Sequence, residues 1–401
     1  MRRRLALYGA LLVLGAIAAV TVRRDHAQAV WHWDLPPGFP APRIPADNPM
    51  SAAKVDLGRL LFYDKQLSNN RTQSCASCHQ QRRAFTDGRV HAIGSTGEAH
   101  RRNSMTLTNV AYASRLTWAH PLLDRIEAQV LLPMFGDAPI ELGLPDATTL
   151  LTRLRADPNY VARFTAAFPQ DADSITVTNV TCALACFVRT LISGNSAYDR
   201  YTRGDQQALS AAAKRGMELF FSERLECFHC HGNFNFADAV DHAKLAEPER
   251  AFHNTGLYNV DGKGSYPSSD GGLYEITRRW DDMGRFKAPT LRNVAVTAPY
   301  MHDGSIATLE EVLDHYAAGG RTIASGPNAG DGHTSPLKEK FVAGFILTPA
   351  ERADVIAFLQ SLTDEAFLAD PRFADPFGSR PAEPDTSSSP LHELATQRAP
   401  R

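Results

Sequence analysis

The chain lacks an excess of charge of either sign. Its 401 residues include 42 lysines and arginines against 44 aspartates and glutamates, which gives a formal net charge of −2. Domains that bind nucleic acid are typically strongly basic, so we expect no nucleic-acid partner. Hydrophobic residues make up 43% of the chain and charged residues 21%, and this composition predicts that most of the chain folds.

Long apolar runs are also missing, except at the N-terminus. There, arginines at positions 2–4 precede an apolar run from Leu5 to Val22 and the small-x-small triplet Ala27–Ala29. This order is typical of a secretory signal peptide, which we predict over residues 1–29. An uncleaved N-terminal anchor is the alternative, because the run approaches the ~18 apolar residues of a membrane helix. Either way the rest of the chain is expected in the periplasm, with membrane contact only if the segment is retained.

Cysteine is scarce, and its spacing does not fit an extracellular disulfide framework. Four of the six cysteines lie in two copies of the motif Cys-x-x-Cys-His. The other two, Cys182 and Cys186, are four residues apart on one face of a helix predicted over 178–192. Buried free thiols are favoured there over a disulfide.

Strand-like alternation is nearly absent, and the recognisable elements are helical. Leucines and aromatic residues recur at helical spacing over 150–168, where Pro158 divides two helices. Thr308 and Glu311 form a capping box at the start of another helix. A proline-rich leader over 30–50 reads as extended chain, and a polar tail over 379–401 is predicted to be disordered.

One sequence pattern occurs twice. A helix containing Gly-x-x-Leu-Phe leads into a Cys-x-x-Cys-His motif, first from Gly58 and again from Gly216. The repeat predicts two similar domains in tandem, over 51–200 and 205–365, with a linker at 193–205.

Cys-x-x-Cys-His is the attachment pattern of c-type haem. Two thiols at this spacing reach the two vinyl groups on one edge of the macrocycle, and the histidine then supplies a proximal ligand to the iron. One such motif is also compatible with a redox dithiol or half of a zinc site, but two copies behind an export signal favour haem. We therefore predict two covalently attached haem c groups on these residues: Cys75, Cys78, His79, Cys227, Cys230 and His231.

The second axial position of each iron decides what the haem does. A second strong ligand gives an electron-transfer haem, whereas an open position lets peroxide bind. The candidate ligands after the second motif are Met301, His302, His315 and Tyr316. Tyr316 shares the apolar stripe of its capped helix and His315 points away from that stripe. From the pattern alone, Tyr316 is most simply a packed phenol, just as Trp118 is an aromatic residue of the core.

Three stretches resemble the superfamily of bacterial di-haem cytochrome c peroxidases and MauG. They are KVDLGRLLFYDKQLSNNRTQSCASCH, RRNSMTLTNVAY and FKAPTLRNVAVTAPYMHDGSIATLEEVLDHY, and the resemblance covers roughly residues 50–365. Within the superfamily the chain looks most like the MbnH family, through the leader WHWDLPPGFPAPRIPADNPMS and the phrase ERLECFHCHGNFNFAD. Members of that family oxidise a tryptophan to kynurenine on a partner copper-binding protein, MbnP.

The resemblance implies a fold and a division of roles between the two haems. It implies a mainly α protein, with two tandem cytochrome c-like domains and the haems near the domain interface. His79 would be the proximal ligand of a peroxide-reactive iron. His231 and Tyr316 would ligate a six-coordinate iron that stores an oxidising equivalent, with Met301 as the alternative ligand. Trp118 matches the tryptophan that couples the two haems electronically.

The resemblance also implies a distal pocket and a calcium site. A carboxylate in the distal pocket is suited to moving a peroxide proton. Hard oxygen ligands are those that structural Ca²⁺ requires. The implied pocket residues are Gln129, Pro133 and Glu141, and the implied calcium ligands are Asn109, Thr297 and the carbonyl of Pro299.

The chain departs from the superfamily pattern at two places. Many members carry a distal histidine in the loop before the RNSMT motif, where this chain has Ser95, with His91 and His100 some residues away. The reactive iron is therefore expected to be open at rest. MauG has a surface tryptophan two residues before its second motif, where this chain has Leu225, so the route of charge to a partner is left open.

Three functions remain in competition at this stage. The leading hypothesis is an enzyme that reacts with hydrogen peroxide and oxidises a tryptophan on an MbnP-like copper-binding partner. The first rival is a peroxidase that detoxifies peroxide with electrons from a small cytochrome or cupredoxin. The second is a di-haem electron carrier that is not an enzyme. Spin states of the resting irons discriminate among them.

Overall fold

A computed structural model of the chain describes residues 31–378. The predicted signal peptide or anchor and the predicted disordered tail lie outside the described residues. In the described part, no helix has the length and apolar character needed to cross a membrane. The leader between residues 31 and 50 contains no helix or strand, in agreement with its high proline content.

Helices account for the regular structure in the first half of the described chain. Several are short, because loops that carry functional motifs interrupt them. In chain order they are α1 Ala52–Tyr63, α2 Cys75–Cys78, α3 Ile126–Gln129, α4 Leu131–Phe135, α5 Ala147–Arg155, α6 Pro158–Ala167, α7 Val177–Arg189 and α8 Ala197–Thr202. Short 3₁₀ helices lie at Lys65–Leu67, Gln81–Arg83 and Val110–Tyr112.

The second half has fewer helices and one small sheet. Its helices are α9 Ala211–Phe220, α10 Phe228–His231, α11 Tyr274–Thr277, α12 Leu309–Ala317, α13 Pro349–Gln360 and α14 Glu365–Leu368. Further 3₁₀ helices lie at Trp280–Asp282, Val294–Val296 and Gly332–Thr334. Two antiparallel strands, β1 Thr322–Ile323 and β2 Gly330–Asp331, pair Thr322 with Asp331.

The capping signals read from the sequence set the ends of α12 and α13. Thr308 and Glu311 form the predicted capping box of α12, and Thr348 and Glu351 form a second one at α13. Each box satisfies backbone N–H groups that a helix start leaves unpaired. α12 is followed by Gly319 at φ 67°, a left-handed conformation that glycine adopts without strain.

The two repeated helices pack in the same way, each against a later helix. α1 lies on α7, and α9 lies on α13. A Cβ added to Gly58 would lie 1.9 Å from the Ala183 carbonyl oxygen, and one added to Gly216 would lie 1.9 Å from the Asp354 carbonyl oxygen. The glycine of each repeat therefore permits close contact of two helix backbones, and the sequence repeat is also a structural repeat.

Residues 33–378 belong to one compact unit that contains two main hydrophobic clusters. The first cluster is built from residues 57–191, and the second from residues 220–362. Phe367 and Phe373, which follow the second cluster in the chain, pack into the first. The end of the described chain thus returns to the first half.

The predicted linker at 193–205 is structured in its middle. It contains α8, and Ser193 and Ser196 are fully buried. Asp199 in α8 accepts two hydrogen bonds from the buried guanidinium of Arg292, at 2.9 and 3.1 Å. A buried, paired charge of this kind joins the segment firmly to the second half.

Candidate functional site

The two Cys-x-x-Cys-His motifs hold their histidines in the same way. The Nδ1 of His79 lies 2.8 Å from the Phe85 carbonyl oxygen, and the Nδ1 of His231 lies 2.8 Å from the Phe236 carbonyl oxygen. A carbonyl only accepts, so Nδ1 carries the proton and Nε2 keeps a lone pair for a metal. Burial lowers the pKa of both histidines, which keeps the rings neutral and able to ligate.

The four thiols of the motifs are free and only partly covered. Burial raises the pKa of Cys75, Cys78 and Cys227 to about 12, so these sulfurs are protonated. No metal-type cluster among the described residues includes both thiols of one motif. The donor set, two thiols beside one neutral histidine, fits covalent attachment of a haem better than a dithiol metal site.

A large cavity lies beside the second motif. Its empty space is about 1610 Å³, including the part open to solvent. Cys227, Cys230 and His231 line it together with residues of both halves, and most of the other lining groups are apolar. A cavity with these properties fits the second haem, since a haem presents a wide apolar face next to its attachment residues.

One cation in this cavity has no carboxylate bonded to it. Lys287 is buried, and the recorded contact of its Nζ is the Ala288 carbonyl oxygen at 3.5 Å. Burial lowers the pKa of Lys287 to about 8, although the nearby Asp238 charge opposes that shift. A buried ammonium in an apolar cavity suits a ligand that brings its own carboxylates, as haem does.

Three of the four candidate axial ligands line the cavity: Met301, His302 and Tyr316. His302 stacks on Phe286 with ring centroids 3.6 Å apart, and burial lowers its pKa to about 4. Burial raises the pKa of the Tyr316 phenol. His315 points away from the cavity, as its helical position predicts, but it is buried against other elements and both ring nitrogens lack hydrogen-bond partners.

Trp118 lies at the junction of the two halves. Its Nε1 donates a hydrogen bond to the Asn103 carbonyl oxygen at 2.9 Å, and its own carbonyl accepts one from the Lys287 backbone N–H at 2.7 Å. It also lines the cavity beside His231. Trp118 is thus hydrogen-bonded to both halves, through its indole to the first and through its backbone to the second.

Glu141 lies near the first motif. Its carboxylate acts electrostatically on His79, Cys75 and Cys78. Another predicted pocket residue, Gln129, has a buried Oε1 without a hydrogen-bond partner. Pro133 lies in α4, and its carbonyl accepts a hydrogen bond from the Leu142 N–H at 2.9 Å, directly beside Glu141. Pro133 and the Glu141 segment are therefore joined, and Gln129 lies one helix before Pro133 in the chain.

The loop with Ser95 is fixed against the Glu141 segment. Ile93 and Ala99 form an antiparallel bridge, and the Ser95 N–H donates to the Glu141 carbonyl oxygen at 2.7 Å. Asn70 donates to the Ser95 carbonyl at 2.6 Å. The position that carries a histidine in many superfamily members is thus part of an ordered turn.

Two of the three predicted calcium ligands line the cavity. Thr297 and Pro299 line the cavity beside His231, but Asn109 is not among its lining residues. The Asn109 side chain is fully buried, accepting from the Ser193 N–H at 2.7 Å and donating to the Ser193 carbonyl and to Asn235. The amide oxygen keeps a second lone pair beside the bond from Ser193, so the role of Asn109 as a calcium ligand stays a prediction.

Two further sequence predictions have clear outcomes. Cys182 and Cys186 are buried free thiols, as predicted, and burial raises the pKa of Cys186 to about 11. Leu225, at the place of the surface tryptophan of MauG, is buried and lines the cavity.

Sequence reasoning missed two residues of the site. Lys287 was not singled out, although a lysine inside the apolar stretch FKAPTL is a signal of a buried charge. His100 was noted only as a neighbour of the loop, yet its Nε2 lies 3.4 Å from Glu141 Oε1. No sequence signal joins two residues that are so far apart in the chain.

Comparisons with known proteins agree with this geometry. A family model described as di-haem cytochrome c peroxidase matches residues 52–207. The chain is 35% identical over 376 residues to the cytochrome-c peroxidase IdrP1 of Denitromonas iodatirespirans, covering 89% of this chain and 95% of that protein. It is 32% identical over 372 residues to the methylamine utilization protein MauG of Methylorubrum extorquens, covering 89% and 94%.

A solved structure is also similar along nearly all of the described chain. It is the crystal structure of a MauG-like protein associated with microbial copper homeostasis. The sequence identity is 52% and the TM-score 0.85, with 87% of this chain and all of that chain covered.

Proposed function

Because the chain belongs to the di-haem cytochrome c peroxidase and MauG family, and is a di-haem oxidoreductase, we propose that it uses hydrogen peroxide to oxidise a partner protein. The oxidised group is proposed to be a tryptophan of a secreted, MbnP-like copper-binding protein, and the product kynurenine. The described part is mainly helical, as expected for two cytochrome c-like domains. The association of the 52%-identical MauG-like protein with copper homeostasis supports a copper-binding partner.

The observation that carries this proposal is the position of Tyr316. Tyr316 lines the same cavity as Cys227, Cys230 and His231, and burial raises the pKa of its phenol, which favours a role inside that cavity. A tyrosine ligand stabilises the oxidised iron, because a phenolate is a hard anionic donor. Such an iron is suited to storing an oxidising equivalent for a slow reaction on a protein.

We propose a separate role in the reaction for each of four residues. When bound, the haems supply the redox chemistry, which is cleavage of the peroxide O–O bond and storage of two oxidising equivalents. His79 and His231 hold the two irons through Nε2. Glu141 moves the peroxide proton in the first site. Trp118 provides an aromatic contact between the two sites.

Localisation and calcium are lesser parts of the proposal. We place the protein in the periplasm, which rests on the signal predicted over residues 1–29. A structural calcium ion is proposed, with Asn109, Thr297 and the carbonyl of Pro299 as its ligands. Elemental analysis of the purified protein, before and after chelation, tests for that ion.

One observation favours a second function. Met301 lines the same cavity as Tyr316, and a methionine ligand raises the haem potential, which suits a peroxidase that detoxifies peroxide. Several relatives, including IdrP1, are named cytochrome-c peroxidases. This alternative predicts a small electron-donor protein in place of a tryptophan-containing substrate.

Electron paramagnetic resonance of the resting ferric protein separates the two functions. We expect one high-spin signal from the His79 haem and one low-spin signal from the His231 haem, without prior reduction. Tyr316→Phe should remove or shift the low-spin signal, whereas Met301→Leu should leave it unchanged. The opposite result would establish Met301 as the ligand and favour the peroxidase.

The substrate is tested directly with the partner. The holo-protein is mixed with hydrogen peroxide and a purified MbnP-like protein, and the partner's tryptophans are followed by mass spectrometry. Conversion to kynurenine that requires both peroxide and the enzyme is expected. An unmodified partner, together with rapid peroxide turnover by a reduced small cytochrome, would replace the proposed function by the alternative.

A further inference from the structure

We propose that His100 is a positioning residue for Glu141, and that it orients the Glu141 carboxylate for proton transfer within hydrogen peroxide. The inference deepens the proposed function and rests on it. His100 belongs to neither attachment motif and takes no part in the roles assigned above. It is drawn from the juxtaposition of an imidazole and a carboxylate beside the first motif.

The first observation is the distance between the two side chains. His100 Nε2 lies 3.4 Å from Glu141 Oε1. The Nε2 atom is buried and makes no hydrogen bond within the described residues. A buried ring nitrogen without a hydrogen bond raises the free energy of the folded protein. A small rotation of either side chain would give Nε2 a hydrogen bond to the carboxylate. The geometry thus favours a hydrogen bond from His100 to Glu141 when the site is in use.

The second observation is that the His100 backbone is held firmly. Its N–H donates to the Ala92 carbonyl oxygen at 2.8 Å, which closes the turn that contains Ser95. The next residue, Arg101, makes two 2.7 Å hydrogen bonds to Glu275. Arg102 then pairs with Asp270 at 2.6 and 2.7 Å. These contacts fix the backbone from which the imidazole extends, as a positioning role requires.

The third observation is that the same turn also holds the Glu141 backbone. The Ser95 N–H donates to the Glu141 carbonyl oxygen, and Glu98 accepts a hydrogen bond from the Ile140 N–H at 3.2 Å. Gly94 packs against the Ile140 carbonyl so closely that a Cβ there would lie 1.8 Å from its oxygen. His100 and Glu141 are therefore parts of one rigid unit.

The proton transfer that this pair would serve is balanced within the peroxide molecule. The Glu141 carboxylate accepts the proton from one peroxide oxygen and returns it to the other oxygen. That second oxygen would leave as water, and the carboxylate would be restored. The bound haems would supply the two electrons that break the O–O bond and would keep the first oxygen. A hydrogen bond from His100 to one carboxylate oxygen leaves the other oxygen to carry the proton.

The test measures the rate at which the holo-protein reacts with hydrogen peroxide, by stopped-flow absorbance. His100→Ala should react with hydrogen peroxide about 10-fold more slowly, because the Glu141 carboxylate loses its orientation and a misplaced catalytic group lowers the rate. His100→Gln restores a donor near the Nε2 position and should recover most of the rate. His242→Gln, in a loop of the second half beside Arg43, is the control and should react like the wild type.

A double-mutant cycle shows whether His100 acts through Glu141. Glu141→Gln alone should be slowed about 100-fold, in the range of general acid–base effects. If His100 works only by orienting that carboxylate, then adding His100→Ala to Glu141→Gln should cause no further loss. Losses that multiply in the double variant would overturn the proposal, as would a His100→Ala variant that reacts at the wild-type rate.

The resting spin states provide the remaining readout. His100→Ala should leave both resonance signals unchanged, because a positioning residue does not ligate iron. A low-spin signal converted to high spin by His100→Ala would make His100 an iron ligand and overturn the proposal. If the wild-type protein itself does not react with peroxide, the proposed function fails together with this inference. If the wild-type protein reacts with peroxide and His100→Ala reacts at the same rate, only the inference about His100 fails.

Discussion

The regions around His79 and His231 are alike on the histidine side and differ in what surrounds them. Both histidines donate from Nδ1 to a carbonyl oxygen 2.8 Å away, and both motifs follow a helix that packs through a glycine. Around His231 the cavity is mostly apolar and contains Tyr316. Near His79 lies Glu141, whose side chain is 35% exposed. The repeat therefore builds two equivalent attachment sites, and segments outside the repeat give them different chemistry.

Under the proposed function, this difference gives opposite tasks to two similar sites. An apolar enclosure with a hard anionic ligand is suited to holding an oxidised state. A carboxylate with access to water is suited to moving the protons of a small substrate.

The largest effect is expected from removing one attachment site. Denatured wild-type protein should retain two haems per chain, measured by pyridine haemochrome absorbance against protein concentration. Replacing Cys227 and Cys230 by alanine should leave one, and so should replacing Cys75 and Cys78. Release of both haems from the wild-type protein on denaturation would contradict covalent attachment.

The next largest effect is expected from changing Trp118, which lies between the regions around His79 and His231. Trp118→Phe should fold and carry both haems, because the change removes only part of a half-buried ring. The variant should nevertheless fail to form the oxidised state that is shared between the haems, which rapid mixing with peroxide detects. It should also fail to oxidise the partner tryptophan.

A purely structural role for Trp118 predicts the reverse. The variant would then lose stability by a few kcal/mol, as for other truncations of large side chains in a core, while the folded fraction stayed fully active. Normal oxidation of the partner by well-folded Trp118→Phe protein would therefore end the coupling hypothesis.

The smallest effect tests whether the two halves are packed equivalently. Gly58→Ala and Gly216→Ala each place a methyl group 1.9 Å from a backbone oxygen. Each should destabilise the protein by about 1–3 kcal/mol or more, since overpacked contacts force the backbone apart.

Urea unfolding of the holo-protein, followed by circular dichroism, measures both losses. Ala52→Ser, at an exposed position of α1, serves as the control and should change the free energy of unfolding by less than about 0.5 kcal/mol. A large loss at only one glycine would show that the repeat is not symmetric in packing energy.

Local features of this protein were predictable from the sequence. The haem motifs and the Thr308 capping box each depend on residues within a few turns of one another. The glycine repeat was visible for the same reason, although its role in helix contact was not.

Features that join distant segments were not predictable. The pairing of His100 with Glu141 depends on how a turn folds against a segment forty residues later, which periodicity does not encode. Asn103 and Asn109 lie in one short stretch, RRNSMTLTN, and the sequence does not show that their surroundings differ. In the structure Asn103 lines the cavity and Asn109 holds Ser193. The region around Ser193 looked like a linker because its composition is polar, whereas its polar groups are buried and paired.

The leader imposes an order on assembly. Phe39 packs against Tyr112 and Phe234, and Arg43 pairs with Asp241, 198 residues further along the chain. In an exported chain the leader crosses the membrane first, yet its docking surface is complete only after most of the second half has followed. Contacts of such long range form late, because closing so large a loop is slow. The leader can therefore reach its final position only when the second half is present, so the start of the described chain depends on residues far along it.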